Sequence, residues 1–154
     1  MAHPILIQAM RRQPAFRDLC ERLPERGAFL RLGGLPGSAP ALAAAALAES
    51  FPERLWVVVA TDPVHAEAVE ADLQALLPEG LVRLYPQREA LPYEPEDEHL
   101  EVSGLRIEAL EALLGGRVRI LVTTSRALQE RADIPAGLAE LRISISTGDT
   151  IRLQ

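Results

Sequence analysis

Lysine and asparagine are absent from the 154 residues of this chain, and all 16 of its basic side chains are arginine. The absence of lysine excludes a Schiff-base lysine, and also the lysine with which a phosphate-binding loop contacts a nucleotide. A single cysteine, Cys20, excludes an internal disulfide and fits a reducing cytosol. Apolar runs such as LWVVVA are far shorter than the roughly 20 residues of a membrane span. We therefore expect a cytoplasmic protein.

The composition is typical of a folded domain, with 48% hydrophobic and 25% charged residues. The formal net charge is −6. Because nucleic-acid binding generally needs a clustered basic surface that neutralises phosphates, this charge argues against strong DNA binding. A weak DNA-binding module stays open as an alternative.

Short β-favouring segments alternate with helical segments through the first 131 residues. Strands are predicted at 28–34, 54–61, 81–86 and 118–124. The continuous apolar run of the second strand is typical of a strand buried on both faces. Helices are predicted at 4–23 with a break at Pro14, and at 40–49, 63–77, 100–114 and 125–131, with Ser38, Asp62 and Ser125 as caps. This order predicts an α/β fold, a parallel sheet with helices on both faces.

The last part of the chain has a different pattern. Leu141, Ile143 and Ile145 alternate with polar residues, which predicts a half-exposed strand. We interpret 1–131 as one α/β domain and 132–154 as the beginning of a second, β-rich unit that is cut short.

A glycine-rich loop joins the first predicted strand to the next helix, in the layout of a phosphate-binding loop. If Gly34 takes the first glycine of the motif G-x-x-x-x-G-K-[ST], Pro40 stands at the lysine and Ala41 at the magnesium-binding hydroxyl. Proline also removes an N–H donor from the helix N-terminus. The residues of this degenerate loop are Gly34, Gly37, Ser38, Ala39, Pro40 and Ala41. We expect no bound nucleotide or other cofactor, although a nucleotide-binding domain with an atypical loop remains an alternative.

Other candidates for chemistry are weak. The acidic stretch EDEH at 96–99 follows a proline-broken loop, so we interpret it as a solvated turn. His3, His65 and His99 lack metal-binding spacing, and no metal site is predicted. Surface arginines near the C-terminal end are the candidates for a partner contact, because arginine is enriched at interfaces. They are Arg126, Arg131, Arg142 and Arg152.

The segment YPQREALPYEPEDEHLEVSGLRIEAL is the most specific in the chain. It resembles the FP-x-W-E-x-LPY-x-x-x-S-P stretch in the N-terminal module of bacterial transcription-repair coupling factors (Mfd), with Arg88 where that family often has tryptophan. The likeness covers about residues 30–150.

The resemblance implies a domain similar to the first domain of the repair protein UvrB, with a RecA-like helicase fold that has lost its ATPase residues. The parent protein is an ATP-dependent DNA translocase, whereas this segment is expected to be non-catalytic. The family implies UvrA as a partner, chiefly through the unit that would begin near Ala132. It also implies contacts with other domains of the parent chain that hold it repressed. RNA polymerase and DNA would be reached through the remainder. Between Tyr85 and Leu105 there are too few aromatic residues for the DNA-inserting hairpin of UvrB.

Overall fold

The computed structural model describes residues 4–23, 27, 29–88, 100–130 and 147. Within these ranges the chain forms six helices and three strands. In chain order they are α1 (Pro4–Arg12), α2 (Pro14–Glu21), α3 (Ala39–Ser50), β1 (Trp56–Ala60), α4 (Pro63–Leu76), β2 (Val82–Tyr85), α5 (Leu100–Leu114), β3 (Ile120–Thr124) and α6 (Ser125–Gln129).

The three strands form an open parallel sheet in the order β1-β3-β2. Trp56 is in register with Ile120, and Val82 is in register with Ile120 on the other side. Every residue of the central strand β3 is buried. The predicted α/β class with a parallel sheet is confirmed, and the carboxyl ends of all three strands meet at one edge.

One side of the sheet, here called the first face, carries most of the core. Ile120 and Val122 of β3 point to this face together with Val82 of β2, and they pack with Leu73 of α4. Helix α3 adds a run of buried alanines whose small side chains allow close helix packing. Helices α1 and α2 complete this layer through Ile7 and Phe16.

The opposite side, here called the second face, is covered less completely. Tyr85 and Leu121 pack there with Ala109 of α5 and Ala127 of α6. Val57 and Val59 of β1 are 48% and 50% exposed. The prediction that this strand is buried on both faces is therefore wrong. Among the described residues α5 lies over β2 and α6 over β3, so the edge strand β1 is left uncovered on this side.

The predicted strand at 28–34 is wrong in its described part, 29–34. Residues 29–36 are neither strand nor helix, and Phe29 is 92% exposed. A strand needs a neighbouring strand to pair with, and none of the described strands β1, β2 and β3 pairs with residues 29–34. The segment is too short to be held without a neighbouring strand.

Helix starts agree with the sequence prediction at one position and differ at another. Asp62 caps α4, since its Oδ1 accepts a hydrogen bond of 2.9 Å from the His65 N–H. The predicted cap Ser125 is instead the first residue of α6. Thr124 takes that role through a 3.2 Å bond from the Ala127 N–H to its Oγ1, because its backbone is still extended. Ser38 occupies the N-cap position of α3 but its side chain makes no capping bond.

The predicted strand with Leu141, Ile143 and Ile145 lies outside the described residues, as does most of the proposed second unit 132–154. No helix in the described part of the chain is both long enough and apolar enough to cross a membrane.

Candidate functional site

The degenerate loop keeps the backbone shape of a tight glycine-rich turn. Gly34 and Gly37 have φ angles of +74° and +56°, which side-chain-bearing residues rarely adopt. The Ala39 N–H donates to the Pro36 carbonyl at 3.1 Å, and the Leu42 N–H donates to the Ser38 carbonyl at 3.0 Å. Helix α3 therefore begins directly from this turn.

The same loop carries none of the charge that a triphosphate needs. No ionisable side chain occurs from Leu32 to Ala48. Pro40 is exposed, whereas Ala41 is only 2% exposed and belongs to the core of the first face. The position expected for the magnesium-binding hydroxyl therefore contributes a methyl group to packing. Backbone N–H groups alone can attract an anion only weakly without a positioned cation.

A second cluster lies at the carboxyl ends of β2 and β3, centred on Arg106 of α5. Its guanidinium stacks over the Tyr85 ring at 4.3 Å, and the side chain is only 7% exposed. The Nη1 atom donates to the Pro86 carbonyl and to Glu130 Oε2, both at 2.7 Å. A buried cation is costly unless it is paired, and here a charge-assisted bond and a π-face compensate it.

Glu130 is the shared hydrogen-bond acceptor of this cluster. Its two carboxylate oxygens accept hydrogen bonds of 3.0 and 3.1 Å from the Arg88 N–H. The Arg126 Nε lies 3.9 Å from Glu130 Oε1, one helical turn away. Glu130 therefore connects the segment after β2, the end of α6 and the buried face of α5.

Two threonines of β3 form hydrogen bonds to the segment that follows β2. The Thr123 Oγ1 donates to the Tyr85 carbonyl at 2.8 Å, and the Thr124 Oγ1 donates to Gln87 Oε1 at 2.9 Å. Both hydroxyls are buried, so each bond avoids the cost of an unpaired polar group. The chain leaving β2 is held at residues 85–88 by bonds to three elements.

An apolar pocket of about 210 Å³ opens between α5 and α6 on the second face. Leu121 of β3 and Ala127 of α6 are buried in its wall, whereas Leu128 is 54% exposed at its rim. We call it the α5–α6 pocket. Its lining residues are Tyr85, Ala109, Leu110, Leu113, Leu121, Ala127, Leu128 and Glu130.

Only one of the four candidate arginines lies in the described part of the chain. Arg126 is on α6 with 46% of its side chain exposed, next to Glu130 at the edge of the cluster. Arg131, Arg142 and Arg152 lie outside the described residues. A patch made by all four stays a prediction.

The remaining chemical candidates are scattered. His65 is exposed in the first turn of α4, and its Nδ1 is 3.1 Å from the Thr61 Oγ1. Burial raises the pKa of the Cys20 thiol, only partly offset by the charge of Arg11, and this disfavours the reactive thiolate. His3 and residues 96–99 lie outside the described residues. Within the ranges that the structure describes, no three His, Cys, Asp or Glu side chains are grouped as metal ligands would be.

Comparison with known proteins gives no assignment. No model of a known protein family matches the chain, and no curated protein matches it.

Sequence reasoning missed the roles of Arg106 and Glu130. Arg106 is three positions before Ala109 and therefore on the apolar side of α5. A lone cation on an otherwise apolar stripe signals a buried ion pair. The sequence carried that signal, but the partner, 24 residues further along, depends on the strand topology.

Proposed function

We propose that this chain is a non-catalytic interaction module of a transcription-repair coupling factor, with a degenerate RecA-like fold similar to the first domain of UvrB. The observation that carries the proposal is the loop before α3. It keeps the positive φ angles at Gly34 and Gly37 but has Pro40 and Ala41 at the two chemically essential positions. The chain has no lysine at any other position, so no other lysine can take over that role.

Two further features support the same function. The parallel sheet places the ends of β1, β2 and β3 at one edge, the arrangement that a helicase-like domain requires. The segment YPQREALPYEPEDEHLEVSGLRIEAL runs from β2 into α5, and its first four residues and Arg106 are joined by the buried polar cluster. We propose that this cluster maintains a scaffold, through which the module helps recruit UvrA and keeps the parent translocase repressed.

A pull-down with purified UvrA tests this function. Two baits are compared, the chain itself and a chimera in which a complete UvrA-binding unit from a coupling factor follows residue 131. We expect retention of UvrA by the chimera and weak retention by the chain alone. A chimera that retains no UvrA would contradict the proposal.

The role of Arg126 is tested in the same assay. Arg126→Glu is expected to weaken retention if the partner contact includes α6. The control is Arg12→Glu, which changes an exposed arginine on α1 in the same way. Equal retention by the two variants would remove Arg126 from the contact.

The glycine-rich turn itself favours one rival function, an atypical nucleotide site. Titration of the chain with a fluorescent ATP analogue and magnesium separates the two. The module predicts no saturable, magnesium-dependent signal, because Pro40 and Ala41 stand where the lysine and the magnesium-binding hydroxyl would be. Saturable binding that Gly37→Val removes would establish the nucleotide site instead, since Gly37 has positive φ.

A further inference from the structure

Strand β1 forms one edge of the described sheet and lacks the features that usually keep an edge strand from pairing. Among the described residues it pairs with β3 alone. Its five residues, WVVVA, include no charged residue, proline or glycine. Edge strands generally carry a charge, a proline or a bulge, because an unprotected edge pairs with other chains. The composition of β1 is therefore that of a strand with a neighbour on both sides.

The backbone groups available at this edge belong to Val57 and Val59. The Trp56 N–H donates to the Arg119 carbonyl at 2.9 Å, so the backbone of Trp56 faces β3. Backbone groups of successive residues in a strand point to alternate edges. Those of Val57 and Val59 therefore point away from β3. An added strand would form its hydrogen bonds with these two valines.

A second copy of this chain offers the same edge, and antiparallel pairing about a two-fold axis satisfies the geometry. Opposite residues in an antiparallel pair exchange hydrogen bonds only where both face the shared edge. When Val58 lies opposite Val58 of the second copy, Val57 lies opposite the second copy's Val59, and both of these face the edge. This register also pairs all five residues of β1.

Charged residues that flank β1 favour this register over its neighbours. Arg54 precedes the strand and Asp62 follows it, and Val58 lies midway between them in the sequence. The register centred on Val58 therefore brings Arg54 of each copy opposite Asp62 of the other, which makes two pairs of opposite charge. Moving the two-fold axis by one residue in either direction would bring Arg54 opposite an apolar residue instead.

Both charged side chains are accessible for this contact. The Arg54 side chain is 51% exposed, and its ion pair with the exposed Glu53, at 3.6 Å, is of a kind that contributes little. Asp62 is exposed and its backbone is extended. Its oxygens accept one bond each, from the His65 N–H at 2.9 Å and the Thr61 hydroxyl at 2.8 Å. A carboxylate oxygen can accept a further bond, so Asp62 can also bind a guanidinium.

The same register matches side chains on both faces of the sheet. On the second face, Val57 and Val59 of the two copies form one strip of half-exposed valines, and cross-strand pairs of β-branched residues are stabilising. On the first face, the large Trp56 lies opposite the small Ala60 of the other copy. Charge, shape and hydrogen bonding therefore agree on one arrangement.

We propose that β1 is a dimerisation edge, where two copies of this chain pair their β1 strands antiparallel about Val58 and Arg54 of each copy binds Asp62 of the other. Because the pairing occupies the β1 edge of both copies, assembly stops at two. The site goes beyond the proposed function, and its tests use no UvrA. Failure of the UvrA pull-down would therefore leave it standing.

Sedimentation equilibrium of the whole chain over a range of concentrations tests the dimer. We expect reversible dimerisation with a dissociation constant on the order of 100 µM, because five paired residues make an interface at the small end of the range. Val57→Lys places a charge on the pairing strand and should weaken the dimer at least about tenfold. Ile107→Lys, which changes a similarly exposed residue on α5, should leave it unchanged.

Exchange of charges tests the contact between Arg54 and Asp62. Arg54→Glu and Asp62→Arg each bring like charges together at both ends of the pairing, and each should weaken self-association about tenfold. A mixture of the two variants should form a heterodimer about as strong as the parent dimer, since every end again joins opposite charges. Arg12→Glu controls for the change in net charge. If Asp62→Arg does not fold, because Asp62 also caps α4, the comparison of Arg54→Glu with Arg12→Glu decides.

Disulfide formation reads the register directly in a Cys20→Ser background. Val58→Cys places two thiols opposite each other, with Cα atoms about 4.5 Å apart, within the range of a disulfide. Val57→Cys places them on a diagonal at roughly 7–8 Å, outside that range. We expect a covalent dimer on a non-reducing gel for the first variant only. Equal cross-linking of both variants would overturn the register.

Other outcomes overturn the dimer itself. A chain that stays monomeric at millimolar concentration would show that β1 does not pair with a second copy. Dimerisation that neither Val57→Lys nor Arg54→Glu weakens would place the contact elsewhere. Slow hydrogen exchange of the Val57 and Val59 amides in a monomer would assign the edge to another segment of the same chain.

Discussion

The two faces of the central strand β3 are stabilised by different kinds of interaction, although the residues that point to them are consecutive in the chain. Ile120 points to the first face, where it is fully buried among the helices α3 and α4. Leu121 points to the second face, where its neighbours include a pocket and a buried ion pair. The first face stabilises the fold by burying apolar area. The second face buries less and instead fixes the position of residues 85–88 through directed hydrogen bonds.

Truncating the two neighbouring residues measures this difference. Ile120→Ala is expected to lower the free energy of unfolding by about 4–5 kcal/mol, because close packing around it leaves a cavity that cannot collapse. Leu121→Ala should cost about 2 kcal/mol, since its side chain already borders an open space. Urea unfolding of both variants makes the comparison. Equal losses would show that the two faces are packed alike.

Removing the charge of Glu130 breaks the polar part of the second face. Glu130→Gln should cost about 3 kcal/mol, the lower end for a broken buried pair, because the carboxylate keeps 18% exposure while Arg106 stays buried. The control Glu108→Gln removes a 61% exposed partner of Arg83 and should cost less than about 0.5 kcal/mol. Similar values for the two variants in urea unfolding would show that burial does not strengthen the Arg106 pair.

The cap of α6 gives a smaller test on the same face. Thr124→Val removes the Oγ1 that accepts from Ala127 and donates to Gln87, and should cost about 1–2 kcal/mol. Ser125→Ala, one residue later, should change stability by less than about 0.5 kcal/mol. Thermal unfolding of the pair decides between the two hydroxyls. A larger loss of stability in Ser125→Ala than in Thr124→Val would show that Ser125 caps the helix.

The smallest expected effect is a pH dependence at the edge of β2. Burial raises the pKa of Glu70, partly offset by the hydrogen bond of 3.1 Å from the Leu84 N–H and by the charge of Arg83. Folded Glu70 thus binds its proton more tightly than unfolded Glu70. Its contribution to stability therefore falls as pH rises from the ordinary glutamate pKa through the raised value.

Glu70→Gln should remove that dependence while keeping an oxygen acceptor for Leu84. The variant is expected to be slightly more stable than the parent at neutral pH and equal to it in acid, with a small difference because Glu70 is only partly buried. Melting temperatures measured across this pH range provide the check. A difference that grows toward acid pH would contradict the sign.

Much of the fold follows from local sequence, and what does not follow depends on contacts. The apolar runs predict the boundaries of β2 and β3 to within two residues, and the pair Asp62-Pro63 predicts the start of α4. The segment 29–34 also has strand-favouring residues, but it does not pair with any of the described strands. A local sequence pattern does not show which segments will pair. The exposure of Val57 likewise depends on where α5 lies.

The candidate sites divide in the same way. The positions of Pro40 and Ala41 can be found by spacing alone, and the structure adds that Ala41 packs into the core. The α5–α6 pocket could not be found so, because its walls come from β2, α5, β3 and α6. Arg106 was visible as an anomaly on a helical stripe, whereas Glu130 became its partner only through the turn that follows β3.

The bond from the Leu84 N–H to Glu70 has a consequence for assembly. Leu84 belongs to an edge strand, and its donor would otherwise be open to any extended peptide that approached from that side. With the Glu70 oxygen already there, a newcomer would have to displace a carboxylate before forming its first ladder bond. The Leu84 N–H is therefore not available to a strand that would add to the sheet at β2.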